Sequence, residues 1–207
     1  MVRARRATLA PVLNREVTIR PAVRSDAADV AALLAAQREH LAPWDPRREP
    51  AFFTRGGQRS RLAQVERDRA AGTSFRFLIL EGGELAGEVS LTNLVRRSFQ
   101  SANVGYWVAG ERCGRGVATA AVAALCTFAF GELELHRLEA GTLLHNVGSQ
   151  IVLDRNGFIP FGVAPSYLRI AGAWCDHVLF QRTCEQPPRP LGAVALARRI
   201  AFLADPQ

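Results

Sequence analysis

Val104-Gly105-Tyr106-Trp107-Val108-Ala109-Gly110-Glu111-Arg112-Cys113-Gly114-Arg115-Gly116-Val117-Ala118-Thr119 decides how this chain reads. A short apolar run enters a turn rich in glycine and arginine. A helical pattern starts at once, with Val117, Ala121, Ala124, Leu125 and Phe128 recurring at about 3.6-residue spacing. Gly131 supplies a stop signal. The first amides of a helix have no partner inside it, and the helix dipole puts partial positive charge there, so a strand, loop and helix of this kind can hold an anion. Gly114 and Gly116 let the backbone approach a ligand with no Cβ in the way, and Arg112 and Arg115 add fork-shaped donors. The plainer reading of the same residues is a glycine turn that joins strand to helix.

Other phosphate loops fit poorly. The dinucleotide fingerprint G-x-G-x-x-G, started at Gly114, needs glycine where Thr119 stands. A P-loop needs lysine, and all 26 Lys+Arg residues are arginine. The chain has no G-x-S-x-G nucleophile elbow and no H-E-x-x-H.

A second stretch, His145-Asn146-Val147-Gly148-Ser149-Gln150-Ile151-Val152-Leu153-Asp154-Arg155-Asn156-Gly157-Phe158, follows the strand-like run Arg137 to Leu144. Together the two stretches resemble the GNAT acetyltransferase superfamily, and within it the RimJ/RimL group, which acetylates the N-termini of ribosomal proteins. The resemblance rests on Gly105-Tyr106-Trp107, Gly114 to Thr119, Asn146 to Ser149 and Gly157-Phe158, in that order. Leu41-Ala42-Pro43-Trp44, Tyr167-Leu168-Arg169 and Trp174-Cys175-Asp176-His177 extend it over residues 17–184. It implies an α/β (α+β) fold with a central mixed, mostly antiparallel twisted sheet flanked by helices. It also implies acetyl-CoA as donor, with CoA as product.

Acetyl transfer to an amine needs the donor's pyrophosphate held, the thioester placed for attack, and a proton moved from the amine to the departing thiolate. By resemblance the backbone amides of Cys113, Gly114, Arg115, Gly116, Val117, Ala118 and Thr119 hold the pyrophosphate, with Arg112 beside them. Cys113 stands where the superfamily usually has Gln or Arg. The pantetheine arm is expected along Trp107, Val108 and Ala109, with Asn146 bonding it from the facing helix; Asn146 reads equally as a plain N-cap. By resemblance Ser149 is the expected relay to the thiolate; it reads also as a plain first-turn helix serine. The glutamate proposed as base in RimL relatives falls at Leu168, so it does not carry over. Glu88, on the polar face of its strand, is the candidate base, with Asp176 behind it. Glu139 reads as structural. Trp44 and Tyr167 are the expected acceptor contacts, Trp44 reading as readily as a loop anchor. No metal ligand set is expected.

A chain of 207 residues suits one domain with a real core. With 48% hydrophobic and 22% charged residues it reads as an ordinary globule, and no apolar run is long enough to span a membrane. No apolar stretch follows the basic start in the manner of a secretory signal, so the expected location is cytoplasmic. Cys113, Cys126, Cys175 and Cys184 show no metal spacing and read as free thiols. The net charge of +7 suits an acidic partner such as CoA; the scattered arginines and 8% aromatics argue against direct nucleic-acid binding.

In chain order, residues 1–16 read as a basic arm and residues 17–184 as the acetyltransferase domain. Residues 185–207 read as a Pro-rich linker and a short basic helix, an accessory tail or packing element. Strands are expected at Val17 to Pro21, Phe75 to Leu80, Leu85 to Thr92, Ala102 to Val108, Arg137 to Leu144, from Phe158 onward, and at Cys175 to Thr183. Helices are expected after a Ser25 or Asp26 cap, over Gln58 to Ala71, from Val117, over Val147 to Asn156, and over Leu191 to Leu203.

An α-amine has a reference pKa of about 7.7–8.0 and a lysine about 10.4, so deprotonation at neutral pH costs roughly 1 kcal/mol for the first and more than about 4 for the second. A site with no obvious strong base suits a protein N-terminal α-amine. The alternatives are a small-amine or aminoglycoside-like acceptor, or a non-catalytic CoA-binding regulatory module. Dimers occur among similar proteins, which makes a homodimer an open expectation.

Overall fold

The computed structural model describes residues 16–185 and 189–204. The expected basic arm, save Glu16, and the Pro187-Pro188 part of the expected linker lie outside those residues. Seven strands form one sheet: β1 (Val17–Pro21), β2 (Phe75–Glu81), β3 (Glu84–Val95), β4 (Ser101–Val108), β5 (Arg137–Leu143), β6 (Ile159–Ile170) and β7 (Ala173–Thr183). Their order is β1-β2-β3-β4-β5-β7-β6. Every pairing is antiparallel except β4 with β5, which is parallel. The helices are α1 (Ala27–Ala36), α2 (Arg38–Leu41), α3 (Arg55–Ala70), α4 (Val117–Gly131), α5 (Val147–Arg155) and α6 (Ala193–Ala204). None is long and apolar enough to cross a membrane.

Strand alternation sends side chains to two faces. Phe77, Ile79, Val89 and Leu91 pack with Val117, Ala121, Leu125 and Ala129 of α4 on one face. Leu78 packs on the other with Val30 and Leu34 of α1 and Leu62 and Val65 of α3. The Gly82-Gly83 turn forms as expected, with φ of 61° and 84°, the left-handed pair that a tight hairpin needs.

Two helix ends differ from expectation. Asp26 does not cap α1: its carboxylate turns back to accept from the Arg20 guanidinium and from the Val23 N–H, each at 2.9 Å. A bidentate arginine outcompetes the helix amides for that carboxylate. At the far end of α4, Gly131 stays within the helix, and the left-handed residue is Glu134, with φ of 50°. Gly157 does close α5, with φ of 76°.

The feature that makes the site is the β4–β5 seam. These strands pair only over Ser101 to Asn103 with Arg137 to Glu139. Beyond Asn103, β4 stays paired with β3 while β5 stays with β7, and a gap opens between them. α6 is a packing element: Leu196 is 3% exposed, and the Asp154 carboxylate accepts from the Leu191 and Gly192 amides at 2.7 and 3.1 Å.

Candidate active site

A cleft of about 580 Å³ runs along this gap. Its walls are residues 106–108 of β4, the loop and first turn of α4, residues 145–149 at the start of α5, and His40, Leu41 and Trp44.

The loop is an open backbone cradle. Gly114 and Gly116 have φ of 72° and 84°, a conformation that L side chains rarely adopt, and a Cβ at either would meet nothing within 4 Å. Gly116 is the N-cap of α4 and offers no side chain to its first amides. Those donors are left for a ligand, and an anion is what they suit. Val117, Ala118 and Thr119 line the cleft where expected.

Arg112 lines the cleft as expected, and both arginines are also held by carboxylates. Arg112 bridges Glu81 Oε2 at 2.5 Å and Glu84 Oε2 at 2.6 Å, and Arg115 reaches Glu81 Oε1 at 3.0 Å. The hydrogen bonds Arg112 donates to Glu84 and Glu81 push its pKa further up, so its charge is fixed and shared with carboxylates. It braces the loop against the β2–β3 hairpin, and Arg115 is absent from the cleft wall. The cation on the opposite wall is Arg155, which sequence reading missed. The signal was there: Gly148, Ile151, Val152 and Arg155 share one helix face.

β4 also needs a correction. The Ala109 N–H donates to Ala86 O at 2.8 Å, and Ala109 is fully buried. By strand alternation Trp107 also points its backbone edge toward β3, while Tyr106 and Val108 present theirs across the gap. The backbone edge left open to the gap is therefore that of Tyr106 and Val108, whereas the expectation ran from Trp107 to Ala109. Gly87 sets the closeness of β3 to β4, since a Cβ there would lie 2.2 Å from Trp107 O.

On the α5 side, Asn146 Oδ1 accepts from Ser149 N at 3.1 Å, the N-cap role. Ser149 Oγ lies 2.7 Å from the Tyr106 hydroxyl, which also donates to Ser149 O at 3.1 Å. Burial pushes the Tyr106 pKa up, against a smaller pull from Ser149, so the phenol stays protonated. Tyr106 was visible in the Gly-Tyr-Trp motif, but its link to Ser149 spans 43 residues and only the fold makes it.

Glu88 takes another part. It is 2% exposed, and its carboxylate is held by Arg61 at 2.7 Å and Arg76 at 2.5 Å. Burial pushes its pKa up, but Arg76 and Arg61 together outweigh burial and hold it below the ordinary glutamate range. A carboxylate gripped by two guanidiniums, outside the cleft wall, is a poor proton acceptor. Asp176 is likewise engaged, accepting from Ser166 N at 2.8 Å. Among the described residues the cleft wall carries no Asp or Glu at all; its imidazoles are His40 and His145. His40 packs against Gly110 and lies 3.8 Å from Cys113 Sγ, at the phosphate loop. His145 lines the same cleft as Ser149, and its ring lies 5.5 Å from that of Trp44. Tyr167 lies outside the wall, over Gly141 and 5.6 Å from the His177 ring.

Comparison with known proteins agrees with this geometry. The family model described as "Acetyltransferase (GNAT) domain" matches residues 16–159. The chain is 32% identical over 166 residues to the probable N-acetyltransferase YjcK of Bacillus subtilis (strain 168), covering 79% of this chain and 92% of that protein. It is 32% identical over 156 residues to the [ribosomal protein uS5]-alanine N-acetyltransferase of Escherichia coli (strain K12), covering 74% and 80%. The solved structure of Mycobacterium smegmatis RimJ in complex with CoA-disulfide superposes with a TM-score of 0.80 at 33% identity, covering 90% of this chain and 88% of that one. A parted β4–β5 seam, an open glycine cradle and a family model across most of the chain agree: it belongs to the GNAT acetyltransferases.

Proposed function

We propose that the chain moves the acetyl group of acetyl-CoA to the α-amine of a protein N-terminus, of the kind the E. coli relative is named for. The observation that carries this is the cleft wall, which holds Ser149 and the imidazole of His145 and, among the described residues, no carboxylate. A histidine can take the proton of an α-amine at modest cost, whereas a lysine amine lies about 2.5 pKa units further off.

Acetyl-CoA supplies the activated acetyl group, and the chain's own residues do the rest. The Gly116 to Thr119 turn and Arg155 hold phosphate. The Tyr106 and Val108 backbone edges orient the arm within the gap. His145 accepts the proton from the incoming amine. Ser149, hydrogen-bonded to the Tyr106 hydroxyl, passes a proton to the departing sulfur and is restored by the one His145 took, so that the net transfer is one proton from amine to thiolate. The Trp44 ring, tilted against that of His145, walls the acceptor side.

The test is thiol release from acetyl-CoA with a panel of acceptors. Lysine-free peptides beginning with Ala or Ser should turn over, and their N-terminally blocked twins should not. Turnover with small amines alone would refute the protein-acceptor reading, and CoA binding with no turnover on any acceptor would favour a regulatory module.

A further inference from the structure

At the opposite end of β5 from the cleft, three donor side chains converge. His136 Nδ1 lies 3.8 Å from Cys184 Sγ and 3.8 Å from Glu185 Oε1. The three donor atoms all fall within 4.8 Å of one another, and this is the only such group of three among the described residues. We propose that His136, Cys184 and Glu185 form a binding site for a borderline transition-metal ion of the Zn²⁺ class.

The distances support this. At 3.8 Å the sulfur contact is a weak hydrogen bond at best, and the carboxylate contact is too long to be one. Zinc sits about 2.3 Å from a thiolate sulfur and about 2.0–2.1 Å from an imidazole nitrogen, which at a tetrahedral angle puts the two donors about 3.6 Å apart. The observed edges match donors that share one ion with little movement. The donor set of one thiolate, one imidazole and one carboxylate also excludes Ca²⁺ and Mg²⁺, which want oxygen.

The backbone holds the donors in place. His136 N donates to Gln100 O at 2.9 Å, and Cys184 N donates to His136 O at 2.9 Å. Residue 136 is thereby pinned to the turn before β4 and to the end of β7. A cavity of about 410 Å³, lined by His136, Cys184 and Glu134, adjoins the donors and has room for water or the Glu134 carboxylate as a fourth ligand. The side chains of His136 and Glu185 are 46% and 78% exposed, so an ion can enter. The site lies where the chain leaves the sheet after β7, remote from the cleft. Its role is a clamp that ties the start of β5 to the end of β7, and it stands whatever the acceptor is.

The test uses the untagged, chelator-stripped full chain titrated with Co²⁺. One equivalent should give tetrahedral visible bands and a near-ultraviolet thiolate-to-cobalt band, and Zn²⁺ should abolish both. Cys184→Ser should remove the thiolate band, and His136→Ala should weaken Co²⁺ binding at least tenfold, with acetyl transfer unchanged in both. Zn²⁺ at about 100-fold over its Kd should raise the wild-type Tm by about 5–10 °C and leave the His136→Ala Tm in place. No thiolate band, a band that survives Cys184→Ser (which would put it at Cys113 beside His40), or no Zn²⁺-dependent rise in Tm would overturn the proposal.

Discussion

His145 and Glu88 show how burial and partners sort two ionisable side chains into different work. His145 and Ser149 both line the cleft. His145→Gln should lower kcat by about 10²- to 10³-fold with little change in KM for acetyl-CoA. A variant within about twofold of wild-type kcat would remove His145 from the chemistry. Glu88 instead fastens β3 to Arg61 of α3 and Arg76 of β2. Breaking a fully buried pair costs about 3–5 kcal/mol, but the arginine side chains are 21% and 27% exposed, and water recovers part of that. Glu88→Gln should therefore cost about 2–3 kcal/mol at neutral pH. The folded pKa of Glu88 is lowered, so its contribution is full above the ordinary glutamate range and is lost as pH falls through the lowered value. Denaturant melts should thus show the gap between wild type and variant closing below about pH 4.

Among the elements, the β4–α4 unit was the most legible, because glycine spacing, apolar periodicity and strand alternation all agreed there. The Gly116→Glu variant should abolish CoA binding in calorimetry, since it places a bulky anion in the open cradle at a backbone φ of 84°. Unchanged affinity would refute the phosphate role of this turn. Strand and helix ranges elsewhere were readable to within a few residues, as for α3 and β7, from period and turn residues alone. What stayed hidden was partnership across the chain. Arg112 was read as a phosphate donor because its neighbours are glycines, but its two carboxylates sit on the β2–β3 hairpin, 28 and 31 residues away. Glu88 looked free because no local residue pairs with it, and Tyr106 met Ser149 only through the fold. Local patterns record backbone preference, while the pairing of charges and hydroxyls is decided by topology.

For the molecule as a whole, α6 belongs to the folded unit rather than trailing from it. Leu196 and Ile200 join the main core, and Arg199 Nε donates to Pro160 O at 2.9 Å. Leu196→Ala should cost about 2–4 kcal/mol and lower Tm by about 5–15 °C, measured by calorimetry, while a peripheral tail would give almost no change. The short seam between β4 and β5 has a mechanical consequence. The sheet is two plates, β1 to β4 and β5 to β7, joined along the strands by three residue pairs. A ligand seated in the gap touches β4 of the first plate and the start of α5, the helix that follows β5 of the second, and works as a rivet. Amide exchange should therefore slow on saturation with CoA not only at the cradle but along β4 and β5 on both sides of the joint, so that the bound molecule is stiffer than the free one well beyond its own contacts.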